Sequence, residues 1–316
     1  YFSTGNPGPD YNGAIRAGDN LFTASIVAID AHTGEYRWHF QQVHHDIWDY
    51  DAPNPVVLFD LEYEGVQRKG LAQAGKTGWV YILDRISGEP LVGIEERPVP
   101  QEPRQATAAT QPFPTGDPFV TQTLDIPPEG FQLTNQGKIF TPFWDEPVLL
   151  KRGEANWPPS TVDPDKGYIY VCAGERQAAY STQIDTDLAA SGDRYTGGSM
   201  RFAPVPTTGV VAAVNLRNNK VVWSQRWSSR CYSGLVASAG GLVFAGRNDG
   251  RFTAINSSNG NKLWEYMTDA GVNAPPAIFE HEGTQYVAVL SAGNLLAGSK
   301  RGDSVWLFGL ESDEVN

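Results

Sequence analysis

The chain has 316 residues and a formal net charge of -12, with 33 Gly, 22 Pro, 9 Trp and 13 Tyr against only 19% charged residues. That surplus of negative charge repels phosphate backbones and anionic lipid, so nucleic acid and membrane surfaces are poor partners, and small neutral molecules, cations or a basic protein fit better. The turn-rich, aromatic-rich composition reads as a β protein rather than a helical or disordered one, and the length allows roughly one to three domains.

In chain order, Tyr1-Phe2-Ser3-Thr4 reads as mid-strand, without the charged, apolar, small-residue order of a signal peptide, so a processed chain or a fragment of a longer polypeptide is expected. Strand-like runs follow at 25–27, 78–83, 168–171, 241–245 and 286–290. No apolar run approaches the roughly 18 to 20 residues that span a bilayer. An eleven-residue pattern recurs at 28–38, 213–223 and 254–264: a small residue, x, Asp/Asn, two variable positions, Thr/Asn, Gly/Asn, three more, then Trp. The last two copies start 41 residues apart, the period of a four-stranded propeller blade. Each unit reads as a strand, a tight turn carried by Asp/Asn and Gly, and a return strand whose Trp packs against the neighbouring blade. A degraded copy lies at 82–88, and Ser304-Val305-Trp306-Leu307-Phe308 resembles one more opening strand. Together these predict a single all-β domain over 1–316, a propeller of four-stranded blades with about five to six blades' worth of repeat.

Just after the first copy, the run His44-His45-Asp46-Ile47-Trp48-Asp49-Tyr50-Asp51 packs three carboxylates and two imidazoles into eight residues. Carboxylates spaced two apart on an extended segment point the same way. Asp49 and Asp51 could therefore share a hard cation, or one could bind metal while the other takes a proton. A solvated acidic turn is the other reading. The stretch at about 92–154 is rich in Pro and Gln and poor in periodic apolar positions. Its aromatics Phe113, Phe119, Phe131, Phe140, Phe143 and Trp144 suggest packing over a propeller face, either as the roof of a funnel or as a plain inserted excursion.

Cys172 and Cys231 are the only cysteines. One pair cannot make a metal cage, and the absence of Cys-x-x-Cys-His excludes a covalently attached c-type haem within these residues. Each cysteine borders a strand-like segment near the same end of successive blades, so a disulfide is predicted if the protein is exported, two buried thiols being the alternative.

With the repeat and the acidic run in hand, the chain resembles the pyrroloquinoline quinone (PQQ) dehydrogenases, the quinoprotein family that includes methanol, ethanol and membrane-bound glucose dehydrogenases. The resemblance covers nearly the whole chain. Gly5-Asn6-Pro7-Gly8-Pro9, the copy at 28–38, His45-Asp46-Ile47-Trp48-Asp49, Lys76-Thr77-Gly78, Ala155-Asn156-Trp157-Pro158-Pro159 and Gly271-Val272-Asn273-Ala274-Pro275-Pro276 carry it, in register. It implies an eight-bladed propeller holding PQQ and a Ca2+ or lanthanide ion, with Mg2+ a further option, at the funnel end of the axis. The part that this chain lacks resembles the family's N-terminal portion, which contributes a glutamate metal ligand, a Trp that stacks on the quinone and two adjacent cysteines.

The resemblance implies a role for each matched residue. Asn6, Asp49 and Asp51 match metal-ligand positions, Asp51 sitting where lanthanide-using and sugar-oxidising relatives both carry an acid. Asp49 is also the expected catalytic base, taking the hydroxyl proton as hydride leaves carbon for the quinone. Lys76 matches a cation against the quinone oxygens, and Asn156, Trp157 and Tyr232 match cofactor contacts. Lys76 stands where methanol-type enzymes usually have Arg, which, like the paired His44-His45, leans the substrate toward a polyol or sugar. The implied activity is oxidation of an alcohol, polyol or aldose, with electrons passed to cytochrome c or a membrane quinone. The implied location is the periplasm, soluble or attached through a segment outside this chain. A non-catalytic propeller scaffold of the outer-membrane assembly type explains the repeats alone, and a propeller glycosidase would need only a carboxylate pair.

Overall fold

A computed structural model describes residues 1–124 and 126–309. Five blade-like antiparallel sheets follow one another along the chain, with one accessory hairpin. The first sheet joins β1 (Phe2–Ser3), β2 (Ser25–Ile29) and β3 (Tyr36–Gln41), and the second β4 (Val57–Tyr63), β5 (Val66–Ala74) and β6 (Val80–Asp84). The hairpin pairs β7 (Ile94–Pro98) with β8 (Thr110–Pro114). In the third sheet β9 (Val148–Glu154), β10 (Thr161–Asp163), β11 (Tyr168–Thr182), β12 (Gly198–Phe202), β13 (Thr208–Asn215) and β14 (Lys220–Trp227) come together. The fourth is β15 (Leu235–Ala237), β16 (Leu242–Gly246), β17 (Arg251–Asn256) and β18 (Lys262–Met267). The fifth is β19 (Ala277–His281), β20 (Thr284–Ser291) and β21 (Ser304–Gly309). No helix among the described residues is long and apolar enough to cross a membrane.

The repeat has a physical logic at every fixed position. Its small residue lies directly across the sheet from its Trp, as Ala28 opposite Trp38, Ala213 opposite Trp223 and Ala254 opposite Trp264, so the indole lies over a methyl group. A register shift follows each of these alanines and adds local twist. The Asp/Asn side chain caps the turn: Asp30 accepts from the amides of His32 and Thr33, and Asp84 from those of Ile86 and Ser87. The Gly/Asn position is left-handed in every copy, with φ of +74° at Gly34, +80° at Gly88, +55° at Asn219 and +77° at Gly260, which is why only Gly or Asn stands there.

Trp binds one blade to the next. The Trp38 indole donates to the carbonyl of Arg85 in the turn after β6, and that of Trp223 to Ser257 in the turn after β17. A Cβ on Gly88 or Gly260 would lie 2.6 Å from the docked indole, so the turn glycine of one unit is the seat for the Trp of the unit before it. Apolar clusters continue the arc: Phe59, Leu61 and Ala72 pack with Ile169 and Val171, and Phe244 and Phe252 with Val287 and Val289.

Departures from four strands have local causes. In the second sheet the outer strand shrinks to one bridge, Leu83 to Pro90, because proline has no N–H to continue a ladder. The third sheet is larger because β11 runs 15 residues: Tyr168–Glu175 pairs with β13, and the rest leaves the blade to pair with β9 and β12. Residues 92–154 form β7, β8 and β9, and bury Phe113, Phe140 and Phe143 against Trp48, Tyr50 and Tyr180, behind the acidic loop. The predicted disulfide is present: Cys172 on β11 and Cys231 after β14 are bonded, with Cα atoms 5.4 Å apart.

Candidate cofactor and metal cavity

The acidic loop folds around Asp46, which the reading of the sequence passed over. This fully buried carboxylate accepts from the amides of Trp48 at 2.8 Å and Tyr50 at 2.7 Å. Burial pushes it up to about 7, against the hydrogen bond from Trp48 and helped by the charges of Asp49 and Asp51. Trp48 is anchored from outside the loop, its indole donating to the carbonyl of Thr141 at 2.9 Å. Held at both ends, Asp49 takes a left-handed φ of +59°, a conformation a non-glycine residue keeps only when its surroundings impose it.

Two cations fix the Asp49 carboxylate. The Lys76 ammonium donates to Oδ1 at 3.1 Å and Arg152 to Oδ2 at 2.7 Å, and both also bond the Asp49 carbonyl. Lys76 pairs with Asp51 as well. Its buried ammonium is delivered by the hairpin turn between β5 and β6, where Gly78 has φ of +83° and a Cβ would come 2.4 Å from Val120. Asn6 and Asp10 line the same cavity as the carboxylates. Burial and the charge of Asp49 raise Asp10; burial also raises Asp51, against the pull of Lys76.

On the far side of the chain, Asn54 donates to the carbonyls of Asn156 at 2.8 Å and Pro158 at 2.7 Å and so pins the segment bearing Trp157. Trp157 is 58% exposed, an indole presented to the cavity rather than packed in the core. Tyr232 is buried under Arg230, whose guanidinium carbon lies 4.3 Å from the ring centroid. Asn6, Asp49, Asp51, Lys76, Asn156, Trp157 and Tyr232 therefore line one open cavity of about 560 Å³.

His44 and His45 do not line it. His44 lies between Gln41 and Glu96, and buried His45 bridges the carbonyls of Gly18 and Gln105, tying two loops together. These imidazoles give no support for a polyol or sugar.

A second set of cavity residues was missed: Asp10, Arg152, Glu154, Arg176, Arg194 and Arg230. Glu154 is buried and bonded to Arg152 at 2.8 Å and Arg230 at 2.6 Å. Burial alone would raise it, but Arg152, Arg230 and Lys76 bring it down to about 2. Arg152 donates also to Tyr180 and to the Trp48 carbonyl, linking both groups of charges. A visible signal was alternation in Arg152-Gly153-Glu154, which puts both charges on one face of a strand.

The match to the PQQ glucose/ethanol/alcohol dehydrogenase β-propeller domain extends over residues 1–172 and 205–287. The chain belongs to this family. Among its relatives, the quinoprotein alcohol dehydrogenase PedH of Pseudomonas putida is 30% identical over 92% of the chain and 46% of its own length. The quinohemoprotein alcohol dehydrogenase of Comamonas testosteroni superposes with a TM-score of 0.74 at 25% identity, over 97% of this chain and 45% of that one. A europium-containing methanol dehydrogenase gives 0.69 at 25% identity, over 92% and 48%. The chain thus spans about half the length of the relatives it matches.

The cavity answers the cofactor chemistry in part. Asn6, Asp49 and Asp51 offer oxygen donors, as a hard cation requires, with Asp51 Oδ1 facing the Lys76 ammonium. Among the described residues no group of three or more His, Cys, Asp or Glu gathers for a metal, so these residues make up part of a shell. Exposed Trp157 and the amide of Asn156 fit the face and edge of a flat, polar ring system.

Proposed function

We propose that this chain forms the greater part of the active site of a PQQ-dependent alcohol dehydrogenase. The observation that carries this reading is the convergence of all seven motif residues on one cavity, with Asp49 strained and held between two cations. PQQ, when bound, supplies the two-electron acceptor, and a Ca2+ or lanthanide ion on Asn6, Asp49 and Asp51 supplies positive charge beside the substrate oxygen. The chain's own residues manage the proton and the charge. Asp49 takes the hydroxyl proton as the C–H hydrogen leaves with its electron pair, so the alcohol becomes a carbonyl compound. Lys76 and Arg152 hold that carboxylate in place, and Lys76 offers an ammonium to the negative charge that reduction develops.

Relatives named as quinohemoproteins, and one named as a cytochrome c-linked lupanine 17-hydroxylase, support a cytochrome as the electron acceptor, with a membrane quinone as the alternative. The Cys172–Cys231 bond supports the periplasm. Further blades and a further metal ligand would come from an N-terminal propeller segment. The test is to add PQQ with calcium or with lanthanum to the full-length protein. Retention of quinone absorbance through gel filtration and dye reduction by primary alcohols are expected, with aldoses run in parallel. A protein that retains no quinone with either ion overturns the reading.

A further inference from the structure

Arg176 on β11 lies directly across from Arg152 on β9, so two guanidinium groups project from one face of the sheet. Like charges in that position repel unless each is neutralised. Arg152 is, by Asp49 and Glu154, and Arg230 is, by the other oxygen of Glu154. Arg176 is not: among the described residues its side chain makes no hydrogen bond and no ion pair, and its Nε is buried without a partner. Both oxygens of Glu154 are engaged elsewhere, one by Arg152 and the other by Arg230.

Arg176, and Arg230, which donates to Glu154 and to the Leu296 carbonyl at 3.2 Å, are both held still. Arg176 stacks on Phe202 with its guanidinium carbon 4.1 Å from the ring centroid, and Arg230 stacks on Tyr232. The Nε of Arg230 is likewise buried without a partner. Gly174 lets Arg230 lie alongside β11, because a Cβ there would come within 2.9 Å of its Cγ. Burial, then the charges of Arg230 and Arg152, pull Arg176 down to about 10, the mark of a cation short of anions.

We propose that Arg176, with Arg230 beside it, is a carboxylate-binding subsite of this cavity. A planar guanidinium immobilised on a ring presents two parallel N–H donors that match the two oxygens of a carboxylate, and among the described residues none is bonded to it. The carboxylate comes either from the cofactor, since PQQ is a tricarboxylate, or from an alcohol that is itself an acid. Only the first source rests on the quinone reading of the cavity.

Calorimetric titration of the full-length protein and of Arg176→Gln and Arg176→Lys, with PQQ, with lactate and with the neutral 1,2-propanediol, separates the two. Arg176→Gln is expected to weaken PQQ or lactate by about 10- to 100-fold, as for loss of a charge-assisted pair, and to leave propanediol unchanged. Arg176→Lys keeps the charge and recovers part of the loss, which a misfolded cavity would not do. A loss for PQQ assigns the subsite to the cofactor, and a loss for lactate assigns it to the substrate. Equal affinity of wild type and Arg176→Gln for both carboxylates overturns the subsite even while PQQ binds. A wild type that binds neither also overturns it. Lactate bound through Arg176 in a protein that ignores PQQ would instead sink the quinone reading and keep the subsite.

Discussion

The loop 46–51 and the strand pair β9–β11 face the same cavity, but they hold their charges by different means. In the loop, neighbours in sequence set the turn, since Asp46 binds the amides of Trp48 and Tyr50, and Thr141, Lys76 and Arg152 then fix it from outside. On the strands, Arg152, Glu154 and Arg176 are aligned by sheet register, and Arg230 arrives from beyond β14. The loop concentrates anions, and the strands assemble cations around a single carboxylate. A site written in consecutive residues is thus rigid through its own backbone, whereas a site written across strands depends on the fold being complete.

The comparison breaks most visibly at Asp49. Asp49→Asn keeps the shape and removes the base, so alcohol turnover with PQQ shown to be bound should fall by about 10²–10⁴-fold. Near-normal turnover would place the base elsewhere.

Arg152 belongs to both walls, and Arg152→Gln should cost stability as well as activity. Removing one partner of a buried ionic network costs about 3–5 kcal/mol, because Glu154 and Asp49 then lose a counter-charge. Urea unfolding measures it; a loss below about 1 kcal/mol would show that Arg230 and Lys76 suffice.

A smaller effect is expected where the strand wall is tied down by Cys172–Cys231. The paired change to alanine should lower stability by about 2–4 kcal/mol, for the loop closed between residues 59 apart. Because Arg230 and Tyr232 flank Cys231, carboxylate binding should weaken with it, while the loop 46–51 keeps its amide protection in hydrogen exchange.

The smallest effect concerns pH. Asp46 in the fold titrates at about 7, above the ordinary carboxylate value, so the folded chain keeps a proton that the unfolded chain has released. Its contribution is therefore greatest in acid and is lost as pH rises from about 4 through about 7. Urea midpoints across that window should fall with pH in wild type and fall less in Asp46→Asn. Parallel slopes would mean that Asp46 does not titrate there.

How much of this was legible follows from the same contrast. The propeller could be read because Ala28, Asp30, Gly34 and Trp38 each do a local job that recurs at fixed spacing. The acidic wall could be read for the same reason. The partners of Phe113, Phe140 and Phe143 were not legible, because aromatic content says that a segment packs and not against what; they cluster with Trp48, Tyr50 and Tyr180. His44 and His45 drew notice by proximity to Asp49, but a left-handed turn at His45, with φ of +46°, sends the chain past them. Arg176 was invisible because its meaning depends on Arg152 opposite and on Phe202, which β12 brings in.

Trp38 and Trp223 each find their seat only on a turn that comes later in the chain, at Gly88 and Gly260. A polypeptide emerging from the ribosome can therefore dock these two indoles only after the following turn has been made. Until then each of these indoles lacks its seat, and the apolar edge it will cover waits for the next sheet.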